Sequence, residues 1–166
     1  MHESEDDLRR LQDLLDRSFE VAGVHLLEVI TPERRMVAAD VCDRLSDLRL
    51  LALATVTAEG RPLVGPVDGI FYRGAFHFSS SPDSVRIRHV RVRPQVSATH
   101  LPGEDFAVTV HGEAELLDLS SGANAGLRRV LLDHYVPQYG PEWEAFLDAN
   151  VCARINPRRM FVFHLA

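Results

Sequence analysis

Phe78-Ser79-Ser80-Ser81-Pro82-Asp83-Ser84-Val85-Arg86-Ile87-Arg88 reads as the end of a strand, a serine-rich turn and the first turn of a helix. Ser81 suits the N-cap, Pro82 the first helical position, and Asp83 the positive end of the helix dipole. Free N–H groups at such a start, with hydroxyls before them and guanidiniums after them, make a site for a phosphate. The same residues also fit a well-capped surface helix with solvated arginines. A helix continuing to Arg93 aligns Arg86, His89 and Arg93 on one face and Arg88 with Arg91 on another, with Ile87 and Val90 turned inward. Two small arginine faces suit one anionic ligand better than a long duplex.

Working outward from that stretch, the chain divides into a helical beginning, a β-rich middle and a mixed end. Residues 5–21 carry helical periodicity through Leu8, Leu11, Leu15 and Phe19. Thr31-Pro32-Glu33 predicts a second helix running to about Leu45, with Met36, Val37, Val41 and Leu45 as its buried stripe. Residues 24–30 fit either a helix or a strand. From residue 49 the period changes to two. Strands are expected at 50–57, at 62–72, at 75–79 after an Arg73-Gly74 hairpin, at 95–101 and at 106–118. Gly112 inside the longest of these predicts a bulge or a close backbone approach, which helps a curved sheet close. Helices follow near 122–135 and 141–149. Asn156-Pro157-Arg158-Arg159 reads as a turn or strand entry, and Met160–Leu165 as the last strand. Strands with turn signals between them, broken by one short helix, point to a small antiparallel barrel rather than a parallel α/β sheet.

The 166 residues fit one domain with a real core. A hydrophobic share of 46% with 25% charged residues is that of an ordinary globular protein. A net charge of −6 and a pI near 5.7 argue against a general nucleic-acid binder. Cys42 and Cys152 show no zinc spacing and read as small buried hydrophobes, so no metal is expected. The acidic N-terminus and the lack of a long apolar run give no sign of a signal peptide or membrane span, and a cytoplasmic location follows by default.

Taken in order, Leu53-Ala54-Thr55-Val56, Glu59-Gly60-Arg61-Pro62, Gly65-Pro66-Val67, Phe76-His77-Phe78-Ser79, Ser84-Val85-Arg86-Ile87-Arg88-His89-Val90, Arg93-Pro94-Gln95-Val96-Ser97 and Val110-His111-Gly112-Glu113-Ala114 resemble the pyridoxamine 5′-phosphate oxidase-like superfamily of FMN- and F420-binding split barrels. The resemblance covers roughly residues 50–118. It implies an α+β, mainly β fold: a six-stranded antiparallel split β-barrel (49–166) with peripheral helices, preceded by a helical extension (1–48). It also implies a homodimer with two cofactor sites at the interface. Ser79, Ser80, Ser84, Arg86 and Arg88 would hold the cofactor phosphate, and Pro66, Val67 and Asp68 would contact the ring. Family members that oxidise pyridoxamine phosphate carry an arginine on the second strand where this chain has Gly65. They also carry an Arg-Lys pair where it has Val85-Arg86, and a C-terminal basic pair that it lacks.

The expected function is that of an FMN-binding oxidoreductase acting on an unknown small molecule, with those departures speaking against vitamin B6. The alternatives are an F420-dependent oxidoreductase, with Arg61, Arg91 and Arg93 lining a longer basic groove, or a non-catalytic flavin- or haem-binding protein. No nucleic-acid or membrane partner is expected. In the hydride step the cofactor ring carries the chemistry, so the catalytic side chains stay unassigned. Asp68 suits a ring N–H, a substrate donor or a solvated turn. His77 and His111 read as structural or barrel-face residues, and His89 as the better functional candidate because it shares a face with Arg86. Tyr135, Tyr139 and Trp143 read as helix packing, or as a cover over the cofactor of the partner subunit.

Overall fold

The fold is described over residues 2–165 by a computed structural model. Six strands, β1 (Arg49–Val56), β2 (Pro62–Tyr72), β3 (Ala75–Ser80), β4 (Gln95–His100), β5 (Phe106–Leu117) and β6 (Val151–His164), close an antiparallel barrel in the order β1-β2-β3-β6-β5-β4. Alternation puts Leu51, Leu53, Val67, Phe71, Phe76, Phe78, Val108 and Val110 inside. The β2–β3 hairpin turns on Arg73 and Gly74 at φ 49° and 75°, the pair of positive angles a type I′ turn requires.

Helix α1 (Glu5–Glu20) starts in a reciprocal cap. Asp7 N–H donates to Ser4 Oγ at 3.2 Å, and Ser4 N–H donates to Asp7 Oδ2 at 3.0 Å. Burial alone would raise the Asp7 carboxyl, but the bonds from Ser4 and the Arg10 guanidinium outweigh it and hold it down at about 2. Leu11, Leu14 and Leu15 carry the helix onto the barrel, continuous with its core. Near its end, buried Ser18 donates to Leu14 O (2.7 Å) and accepts from Met160 N–H (2.9 Å), which ties α1 to β6. A short helix, α2 (Val24–Val29), follows.

The helix expected from Thr31 to Leu45 is instead two pieces. A 3-10 turn spans Pro32–Arg34, the chain extends through Arg35 to Val37, and α3 covers Ala38–Arg44. The break is held by contacts with α1: the Arg35 guanidinium lies 4.3 Å from the centre of the Phe19 ring, and Ala38 N–H donates to Gln12 Oε1 at 2.9 Å. Val41 and Leu45 are fully buried as expected, whereas Val37 is exposed.

The cap of helix α4 (Val85–Val92) is Ser84, not Ser81. Ser81 to Ser84 form a tight turn closed by Ser84 N–H on Ser81 O at 3.0 Å, so Pro82 and Asp83 precede the helix. Ser84 Oγ accepts from Ile87 N–H at 3.3 Å. This frame sends Ile87 and Val90 into the core at the barrel mouth. Arg93 lies past the last helical residue and donates from Nε to Val56 O at 3.0 Å.

The last strand is also longer than its sequence announces. Asn156-Pro157-Arg158-Arg159 is no turn but the middle of β6, where Gly112 pairs with Pro157 and His111 with Arg159, leaving Arg158 as the extra residue of a bulge. Proline is tolerated there because a bulge asks for no ladder N–H. The region expected as a helix from residue 122 opens with a 3-10 turn (Gly122–Asn124) and continues as α5 (Ala125–Tyr139), followed by α6 (Trp143–Ala149). Leu127, Leu131 and Leu147 of these helices form a second apolar cluster with Ile70 and Cys152 on the barrel's outer wall. No helix among the described residues is long and apolar enough to cross a membrane.

Candidate functional site

The α5–α6 pair stands off the outer face of β2 and β3 and leaves a cleft of about 600 Å³. This is within the size range of ligand pockets. One wall is Pro66, Val67, Asp68 and Ile70 of β2; the floor is His77, Ser79 and Cys152; the end is Ser80, Ser81 and Arg86; the far wall is Tyr135, Tyr139, Trp143 and Phe146.

Of the residues expected at the site, Pro66, Val67, Asp68, Ser79, Ser80 and Arg86 meet on this lining. Ser84 and Arg88 are not on it. The Ser84 hydroxyl serves the helix cap, and Arg88 turns back to donate to Asp83 O at 2.5 Å. His89 is also elsewhere, its Nδ1 sharing a hydrogen bond of 2.9 Å with Oγ1 of the buried Thr55. Arg61 is paired with Glu59 at 3.7 Å, and Arg93 is committed to Val56. Neither of these outer arginines lines the cleft.

At the serine end, Ser79 Oγ is buried and makes no hydrogen bond of normal geometry. The Cys152 thiol opposite it in the β3–β6 ladder is only a weak partner. Burial pushes that thiol up to about 11, and the Ser79 hydroxyl only partly offsets this. An orphaned buried hydroxyl carries a cost that a ligand oxygen would remove. Arg86 reaches the same end over Gly65, where a Cβ would stand 3.5 Å from its Nη2. The bare second-strand position thus leaves room for a guanidinium delivered from the helix.

The aromatic wall is the part of the site that sequence reasoning assigned to packing or to a partner subunit. It lines the cleft of its own chain. Tyr135 and Trp143 stack at 4.0 Å and 13°, and Tyr135 Oη donates to Asp68 Oδ2 at 3.2 Å. Burial and the adjoining carboxylate raise the Tyr135 phenol far above its ordinary range, so it stays the donor. A signal was present: Tyr135 and Tyr139 lie four apart on one helix and Trp143 and Phe146 three apart on the next, and each spacing gathers rings on one face.

His77, on the floor, is 5% exposed, and its Nδ1–H donates to Ala75 O at 3.1 Å. Burial pushes its imidazole down to about 4, and the nearby Arg154 guanidinium adds to the effect. The folded state therefore resists a proton that the unfolded chain accepts near pH 6.5. The stability involved is complete above about pH 6.5 and is lost as the pH falls toward 4; at about pH 5 the loss is on the order of 2 kcal/mol. Urea unfolding at about pH 7.5 and pH 5 measures it. His77→Asn keeps a donor for Ala75 without titrating, and its loss between the two pH values should be smaller by about that amount. An equal loss in both proteins would place the acid sensitivity elsewhere.

Among the described residues, no group of three or more His, Cys, Asp or Glu side chains is placed to hold a metal. The fold is a small closed barrel with a cleft on its outer wall. The sequence profile described as pyridoxamine 5′-phosphate oxidase matches residues 39–163, and the chain belongs to that family. No curated protein matches the sequence. Similar solved structures include the conserved hypothetical protein Rv2991 from Mycobacterium tuberculosis, at 21% identity and a TM-score of 0.66 over 80% of this chain and 88% of that one. HutZ, the heme storage protein from Vibrio cholerae, is 20% identical with a TM-score of 0.62 over 75% and 93% of the two chains. A protein described as an F420 reductase is 20% identical with a TM-score of 0.56 over 72% and 94%. At these identities the likeness establishes the fold.

Proposed function

We propose that the chain is an FMN-binding oxidoreductase acting on a small molecule. The observation that carries this reading is the orphaned Ser79 hydroxyl beside Ser80, Ser81 and Arg86 at the end of the cleft. Hydroxyls and one guanidinium fit a terminal phosphate, and the apolar stretch Pro66–Val67 fits a flat ring lying along β2. When bound, the flavin would supply the hydride chemistry. The chain's own part is to fix the phosphate with Arg86 and the serines, to exclude water with Ile70, Leu131 and the Tyr135–Trp143 stack, and to hold a hydrogen-bond acceptor, Asp68, on the ring-side wall.

The same reading includes a homodimer. Leu50 of β1, Val64 of β2 and Leu101, just past β4, are 64%, 69% and 65% exposed beside a groove of about 440 Å³. Leu50 and Pro66 line both this groove and the cleft. A second copy seated there would cover apolar surface and close the open side of the site.

The test is calorimetric titration of the purified protein with FMN, F420 and haem, with its mass in solution measured by light scattering. FMN binding at micromolar or better affinity, on a species of twice 18.6 kDa, is the expected result. F420 or haem binding in preference to FMN would overturn the cofactor assignment, and a monomer with FMN bound would overturn the dimer. Turnover of FMN by a reduced nicotinamide then separates an oxidoreductase from a flavin carrier.

A further inference from the structure

The charged groups of the cleft are segregated. Arg86 stands at the serine end and is the one arginine among the lining residues, which include no lysine. His77 is uncharged at neutral pH. Asp68 is the one lining carboxylate, and Tyr135 Oη holds it on the β2 wall. If a cofactor phosphate takes Arg86, no second cation of this chain is left on the lining to receive an acidic substrate.

Opposite Asp68 the rings form a ladder. Tyr139 lies 6.1 Å from Tyr135, Tyr135 stacks on Trp143, and Phe146 lies 5.9 Å from Trp143. Tyr139 and Phe146 are 60% and 59% exposed, an unusual display of aromatic surface for rings that flank a cleft. Ring faces are electron-rich and attract cations, and a carboxylate beside them adds to the attraction. A carboxylate or phosphate ligand would meet repulsion from Asp68 and no compensating charge.

We propose that Asp68 and the Tyr135–Trp143 ladder form a substrate subsite that prefers planar aromatic cations, accepts neutral planar aromatics and rejects acids. The inference rests on the flavin reading for the occupancy of Arg86, and it names the substrate class of that site. Asp68 reads the charge, and the Tyr135 and Trp143 rings supply the stacking surface.

The experiment uses three probes of nearly equal shape: N-methylquinolinium, quinoline and quinoline-4-carboxylate. Each is titrated calorimetrically into the protein with and without added FMN, and quenching of Trp143, the single tryptophan of the chain, reports where it binds. The cation is expected to bind about tenfold or more tighter than the carboxylate. Asp68→Asn should bring the two within about twofold, whereas Tyr135→Phe keeps both the stack and the carboxylate and should keep the preference. Trp143→Leu should weaken all three probes. The inference is overturned if, with FMN present, the carboxylate binds as tightly as the cation, or if Asp68→Asn leaves their ratio unchanged. FMN binding with a preference for the carboxylate would remove this inference alone; the cation preference without FMN binding would remove the flavin reading alone.

Discussion

Replacing Arg86 by alanine is expected to weaken FMN binding about 100-fold and to leave the barrel folded. A hydrogen bond to a charged group is worth about 1.5–3 kcal/mol, and a guanidinium on a phosphate makes two in parallel. Arg86 forms no ion pair among the described residues, so its loss strands no buried charge. Its neighbours Ile87 and Val90 still anchor α4 in the core. Arg88→Ala is the internal control. It sits one turn-face away, bonded to Asp83 O, and should change affinity by less than about twofold. Arg86→Lys keeps the charge but not the fork and should fall between. Calorimetry gives the affinities, and a thermal melt of each apo variant checks the fold. Equal losses in the two alanine variants would mean that the phosphate lies along the helix and not at its serine end.

Gly112→Ala should be the most damaging single methyl in the barrel. A Cβ at Gly112 would lie 2.2 Å from Asn156 O and 3.1 Å from Pro157 Cα. Both are backbone atoms in the middle of the β5–β6 pair, the longest in the sheet, so no side-chain rotation relieves the clash. The cost belongs at the top of the overpacking range, about 3 kcal/mol. For a chain of this size that lowers the melting temperature by roughly 6–12 °C. Gly122→Ala, where a Cβ meets nothing within 4 Å, should be nearly neutral in the same melt. A small shift for Gly112→Ala would show that the bulge can slide, and the register at Pro157 would then need revision.

Much of the barrel was legible because its signals are local. The type I′ turn at Arg73-Gly74 sets the β2–β3 register, and the bounds of β2 follow from Pro62 and that turn. Gly112 announced its bulge because nothing larger fits a close backbone approach. What stayed hidden depends on tertiary context. Ser81 and Ser84 are both competent caps, and the turn closed by Ser84 N–H on Ser81 O moves the helix start to the second. Asn156-Pro157 has the composition of a turn, and only the bulge opposite Gly112 reveals why a proline can stand inside a strand. The segment 35–37 has helical neighbours, but the arginine–aromatic contact with Phe19 and the bond from Gln12 hold it extended.

The site divides in the same way. Ser79, Ser80 and Arg86 were expected from phosphate chemistry and the family resemblance, and Pro66, Val67 and Asp68 from the resemblance alone; all six line the cleft. Ser84 and Arg88 were adjacent in sequence but do not line the cleft: Ser84 Oγ caps the helix, and Arg88 donates to the Asp83 carbonyl. The aromatic wall could not be placed from sequence, because which face of α5 and α6 meets the cleft is decided by how Leu127, Leu131 and Leu147 dock on the barrel.

The pairing of β3 with β6 has a consequence for how the molecule breathes. Ser79 and Cys152 come from strands separated by roughly half the chain, joined by a short four-residue ladder that lies beneath the cleft. Short ladders, this one and the three-pair ladder between β1 and β4, open at a free energy below that of global unfolding. A ligand seated on Ser79 and stacked under the helices that precede β6 would clasp both sides of that seam. Its binding energy would then appear as slowed amide exchange along 77–80 and 151–154, while the β4–β5 side, remote from the cleft, would exchange as before.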